Sequence, residues 1–174
     1  MGLIRVGNAP CSWGVLEFEG LGGEQVGYGH MLDELVETGY TGTELRDWGY
    51  MPTDTTILRA ELARRDMVML GAFVPVALRD RSAHASGVEA ALQVVRLLAA
   101  VATEPKPYLV LADNSGSDPI RTQNAGRIIP QMGLDSETWS IVAQVTGTID
   151  DPAGQRKGHL VEARSVEHSV HYRK

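Results

Sequence analysis

Cysteine is nearly missing from this chain. A single Cys11 cannot close an internal disulfide, and no histidine stands in a recognisable arrangement with it, so it reads as a small buried or loop residue rather than a nucleophile. Aromatic residues are scarce, at 6%. No apolar run reaches transmembrane length and no signal peptide opens the sequence, so the expectation is a reduced, cytoplasmic protein without a membrane partner. Basic residues form no stripe: 16 Lys and Arg against 22 Asp and Glu leave a net charge of -6. That argues against nucleic acid as partner and points to small molecules.

What is present has globular proportions. With 174 residues, 43% hydrophobic and 22% charged, the chain can build one domain with a sizeable core. Leu3 to Val6 reads as a first strand stopped by Gly7, Asn8, Ala9 and Pro10, and Cys11 to Gly29 reads as a long, glycine-rich loop. Gly20-Leu21-Gly22-Gly23 lies too far past that strand to be a phosphate loop. Met31, Leu32, Leu35 and Val36 recur at helical spacing, with Gly39 as terminator. Thr41 to Leu45 is the second strand. Asp54 is placed to cap a second helix, with Leu58 and Leu62 inward and Arg59, Arg64 and Arg65 facing water.

The run Met67 to Phe73 is continuously apolar, as in a strand buried on both faces, and ends at Val74-Pro75. A largely buried third helix is expected from about Gly87 to Val101. Tyr108 to Ala112 is the fourth strand, releasing Asp113 and Asn114 into a polar loop. A fourth helix starts with Asp135 as cap, and Leu134 with Trp139 has the spacing of a hydrophobic staple. Four strands thus alternate with helices through crossovers long enough for right-handed parallel units, which makes the fold class α/β. Residues 145 to 174 change character, and hold three of the five histidines.

In parallel α/β proteins, ligands bind beyond the carboxyl ends of the strands. The stretch Thr41 to Pro52, TGTELRDWGYMP, puts Glu44 at such an end with a charge, an indole and a phenol just after it. Either this is a site, or Trp48 and Tyr50 cover the end of a core.

At NAPCSWG, GYTGTELRDWGYMPTD, LGAFVPVALRD and VLADNSGSDPIRTQNAGRI, the chain resembles the sugar phosphate isomerase/epimerase family, most closely its inosose dehydratases, over about residues 3 to 144. The resemblance implies a TIM barrel of the xylose-isomerase type, here as four βα units or half a barrel, with residues 145 to 174 a divergent tail from truncation or frameshift. It implies a divalent metal, manganese or cobalt, and a cyclic polyol, keto-sugar or related substrate from which a proton next to a carbonyl is abstracted. Glu44 would be the catalytic residue, and Asn8, Trp13, Trp48, Asp113, Asn114, Arg121 and Asn124 would bind substrate. Each could equally be structural, since an Asp or Asn after a strand often only ties its own turn.

Two departures stand out. Arg46 occupies a place where a small residue is expected, and would either pair with Asp47 or intrude on the rim. After Gln144, no segment matches those that carry the family's metal ligands, and a closed barrel takes roughly 250 residues. The expectation is therefore no catalytic metal bound by this chain's barrel residues, no turnover, and self-association through open sheet edges. The spacings of His159 with Glu162 and of His168 with His171 are read as chance. The alternatives are a non-catalytic family fragment, and a carbohydrate-binding or doubly wound α/β domain; strand order separates the last from a barrel.

Overall fold

The strands Gly7–Asn8 (β1), Gly42–Glu44 (β2), Val68–Val76 (β3) and Tyr108–Asp113 (β4) form one parallel sheet in the order β1-β2-β3-β4. Sequential order is how strands follow one another around a barrel, whereas a doubly wound sheet places its first strand inside. The α/β fold read from the sequence, with four parallel strands in order, is the one observed. The structure is a computed structural model, and it describes residues 6–13, 26–114, 118–127 and 129–150. Among these the helices are Tyr28–Glu37 (α1), Thr55–Ala63 (α2), His84–Val101 (α3), Pro119–Gln123 (α4) and Ser136–Asp150 (α5).

Two compact units make up the chain, Met1–Val74 with Gln93–Val110, and Pro75–Leu92 with Leu111–Lys174. In the first, Met31, Leu32 and Leu35 of α1, Leu58 and Leu62 of α2, Met69 and Ala72 of β3, and Leu97 and Leu98 of α3 are buried together with Leu45 and Met51. In the second, the core residues are Val76, Leu78, Ala91, Val142, Val145 and Ile149. Caps fix where helices begin. Asp54 accepts from the backbone N–H groups of Thr56 at 2.8 Å and Ile57 at 3.0 Å, and Asp118 does the same for Ile120 and Arg121, with Pro119 at the first helical position.

Several boundaries differ from the sequence reading, each for a physical reason. Leu3, Ile4 and Arg5 lie outside the described residues, and β1 is built from Gly7 and Asn8, the residues read as its stop. Gly7 pairs with Gly42, and a Cβ on it would meet Leu70 Cδ1 at 2.0 Å, so this glycine serves close packing rather than a turn. Part of the expected loop after it, Pro10–Trp13, is a short 3-10 turn. β3 runs through Pro75 to Val76, because Pro75 is exposed there. β4 includes Asp113 rather than releasing it.

α3 starts at His84, three residues early, after Asp80 has capped a short turn through the Ser82 N–H at 2.9 Å. The loop expected after β4 contains α4. Trp139 remains 36% exposed, while Asp135 accepts from Thr138 N at 2.8 Å as expected of a cap. α5 continues past Gln144, where the composition shifts, because Val145, Thr146 and Ile149 keep a buried stripe to its end. The glycines at 20 to 23 and the histidines at 159, 168 and 171 fall outside the described residues.

Arg65 is the largest correction. Its side chain is only 5% exposed, although the helical period aimed it at water. The guanidinium donates to Asp33 Oδ1 at 2.6 Å, to Glu61 Oε2 at 2.7 Å and to the Gly29 carbonyl at 3.0 Å. These acceptors replace the hydration that burial takes from the guanidinium.

Candidate functional site

In the first unit, polar groups collect at the end of β2. Parallel register sets Asn8 beside Thr43 and Gly42 beside Val68, and one extra residue on β3 then brings Glu44 level with Gly71. Alternation along β2 puts Gly42 and Glu44 on one face and the fully buried Thr43 on the other. Leu70 lies across Gly7 and Gly42 on the Glu44 face. The Glu44 carboxylate is part-buried and has no hydrogen-bond or ion-pair partner among the described residues.

Beyond Glu44 the chain turns sharply. Arg46 takes a left-handed backbone, φ 64°, and its side chain pairs with Asp47 at 3.4 Å. Its guanidinium carbon lies 5.0 Å from the centre of the Tyr50 ring. Of the two outcomes open for Arg46, pairing with Asp47 is the one observed. Trp48 is 43% exposed at the tip of the turn. In the same unit, the Trp13 indole N–H donates to the Glu34 carboxylate on α1.

The second unit has its own polar centre, a cleft of about 500 Å³ lined by Ala77, Arg79, Asp80, Asp113, Asp118, Pro119 and Ile120. Asp113 ends β4. Its Oδ1 accepts from the Leu78 N–H at 3.1 Å and its Oδ2 from Arg79 Nε at 2.9 Å. Arg79 also reaches Asp118 at 3.2 Å. The Asp118 carboxyl is held below its usual pKa chiefly by the Arg121 backbone N–H, with Arg79 adding to this against partial desolvation.

Asn114 is exposed, with its backbone N–H bonded to the Val76 carbonyl at 3.0 Å. Arg121 donates to the Met132 carbonyl at 2.7 Å, and Asn124 ends α4 with its amide donating to the Ile120 carbonyl at 2.9 Å. The eight candidates are therefore divided. Asn8, Trp13, Glu44 and Trp48 belong to the first unit, while Asp113, Asn114, Arg121 and Asn124 belong to the second, where the Asp113, Arg121 and Asn124 side chains each bond within that unit.

Sequence reasoning missed Arg79 and Asp118. Both had a signal: Leu78-Arg79-Asp80 follows a strand, and an Asp directly before a Pro marks a helix start. Because Asp113 satisfies a backbone donor and a guanidinium at once, Asp113→Ala is expected to destabilise the protein by about 1–2 kcal/mol, the part-exposed pair being discounted for screening. Urea unfolding of the variant beside Asp113→Asn, which keeps one acceptor oxygen and loses less, checks it.

Among the described residues, no three His, Cys, Asp or Glu side chains are grouped to hold a metal ion. Nor is any described helix long and apolar enough to cross a membrane.

No family model matches the chain, and no curated protein matches it. Among solved structures, it is similar to a xylose isomerase domain protein from Alicyclobacillus acidocaldarius subsp. acidocaldarius, at 16% identity and a TM-score of 0.41. The match covers 56% of this chain and 33% of that one, so the chain spans about a third of that protein's length.

Proposed function

We propose that the chain is a protein of the sugar phosphate isomerase/epimerase type, which takes a cyclic polyol or keto-sugar such as an inosose at the carboxyl end of β2. The observation that carries this reading is Glu44: a part-buried carboxylate on the last residue of a parallel strand, with no internal partner among the described residues. Support also comes from the four stretches that resemble that family, each of which spans or follows a strand end.

An unengaged carboxylate suits two tasks. It accepts hydrogen bonds from neighbouring hydroxyls, and it can take a proton from a carbon next to a carbonyl. Returning that proton gives an epimer or isomer, while loss of a β-hydroxyl gives a dehydrated product. A second reading is binding without turnover. It is favoured by Asp113, Arg121 and Asn124, whose side chains already make hydrogen bonds within their own unit.

Calorimetric titration of the full chain with scyllo-inosose tests the site. Glu44→Gln is expected to weaken binding roughly 10- to 100-fold, the range for a hydrogen bond to a charged acceptor, with the melting temperature unchanged. Equal affinity in the variant and the wild type would remove Glu44, and with it this reading.

A further inference from the structure

We propose that Arg46 is a positioning residue for Trp48, and that the turn they share favours ring-shaped polyols over open-chain ones. The inference rests on the reading of the β2 end as a sugar site. Residues 45 to 51 form a turn anchored at both ends, since Leu45 and Met51 are each only 2% exposed. Between them, two residues use left-handed backbone, Arg46 at φ 64° and Gly49 at φ 94°. Glycine adopts this freely. An arginine does not, and one persists there only where its surroundings over-determine it.

Those surroundings are visible. The Arg46 side chain is 8% exposed, an unusual depth for a guanidinium beside a surface turn. It covers the Tyr50 ring at 5.0 Å and meets the Asp47 carboxylate at 3.4 Å. Tyr50 is held in turn, its hydroxyl donating to the Val26 carbonyl at 3.0 Å and its backbone N–H to the Asp47 carbonyl at 3.1 Å. Burial raises the Tyr50 pKa against the pull of Arg46. Asp47 and Tyr50 are therefore both held through Arg46, and Trp48 lies between them in the turn with its side chain part-exposed.

A turn held at both ends that presents a part-exposed indole is a platform already in its binding conformation. A cyclitol or pyranose with equatorial hydroxyls offers one flat face of axial C–H groups, which matches an aromatic face. An open-chain polyol has no such face and loses more conformational freedom on binding.

Titrating the full chain with scyllo-inosose and, separately, D-sorbitol reads out the selectivity. Trp48→Ala should weaken inosose binding about five- to tenfold and leave sorbitol within about twofold. Arg46→Gly, which accepts the left-handed backbone but removes the clamp, should lower the inosose preference similarly with the indole still present. Should Arg46→Gly fail to fold, Tyr50→Phe loses the Val26 bond and should move the same ratio. An unchanged ratio in Trp48→Ala, or in the clamp variant, overturns the inference. If these variants behave as wild type while Glu44→Gln loses binding, the sugar site stands and only the platform falls. Loss of no affinity in Glu44→Gln overturns the site reading instead.

Discussion

Alanine at position 71 is expected to lower the stability of the protein by about 2–3 kcal/mol and its melting temperature by roughly 4–12 °C. A Cβ on Gly71 would stand 2.4 Å from the carbonyl oxygen of Tyr108. At other crowded glycines, such as Gly7, Gly42 and Gly87, the nearest atom belongs to a side chain that can rotate. Here it belongs to the backbone of the neighbouring strand, so relief requires β3 and β4 to separate. Gly71 is also the partner of Glu44 across the bulge, and its carbonyl accepts from the Leu45 N–H at 2.8 Å. The disturbance therefore reaches the end of β2. Gly147 is the control: it is exposed in α5 with open space around its Cα, and alanine there should raise stability by up to about 1 kcal/mol. Thermal melts of the two variants check the pair, and a Gly71→Ala protein as stable as wild type would mean that β4 does not run against Gly71.

The second large effect belongs to Arg65. Arg65→Met removes four donated hydrogen bonds and leaves the part-buried Glu61 with Arg64 alone. Breaking a buried pair from one side costs about 3–5 kcal/mol, and since Asp33 is well exposed the loss here should be nearer 2–3 kcal/mol. The variant should also respond differently to acid. The Arg65 hydrogen bond holds Asp33 below its ordinary pKa, and Arg64 first, then Arg65, do so for Glu61. A carboxylate whose folded pKa is depressed stabilises the fold above its unfolded pKa, and that stabilisation drains away as pH falls through the folded value. Wild-type stability should therefore decline between about pH 5 and pH 2, and the decline should be shallower in Arg65→Met. Urea midpoints measured over that range would show it, and parallel profiles would separate Arg65 from both carboxylates.

These residues show what the sequence could and could not carry. The alternation of strand and helix, and the apolar run from Met67, were enough for a parallel sheet in sequential order, because periodicity reports which face is buried. Periodicity reports direction, however, not where a long side chain ends. Arg65 points outward by phase and still finishes among Asp33, Glu61 and Gly29, up to 36 residues away. Arg79 likewise meets carboxylates 34 and 39 residues on. Glu44 was legible as a strand end, and the pleat does place it on the face with Gly42. The work of Asp113 was not legible, because a carboxylate that ties a turn and one that holds a ligand occupy the same position in the chain. Gly7 misled for a related reason: glycine marks a turn and a tight contact with the same letter.

That contact reaches further than its own strand. Leu70 covers both Gly7 and Gly42, with its Cδ1 at 2.0 Å from a Cβ built on the first and its Cγ at 2.8 Å from one built on the second. Three positions on three adjacent strands are thereby joined in one steric constraint. A methyl group added at position 7 or 42 requires the residue 70 side chain to swing away or to be shorter. Substitution at either glycine is therefore coupled to residue 70: whatever shortens or reorients that side chain eases growth at both positions at once.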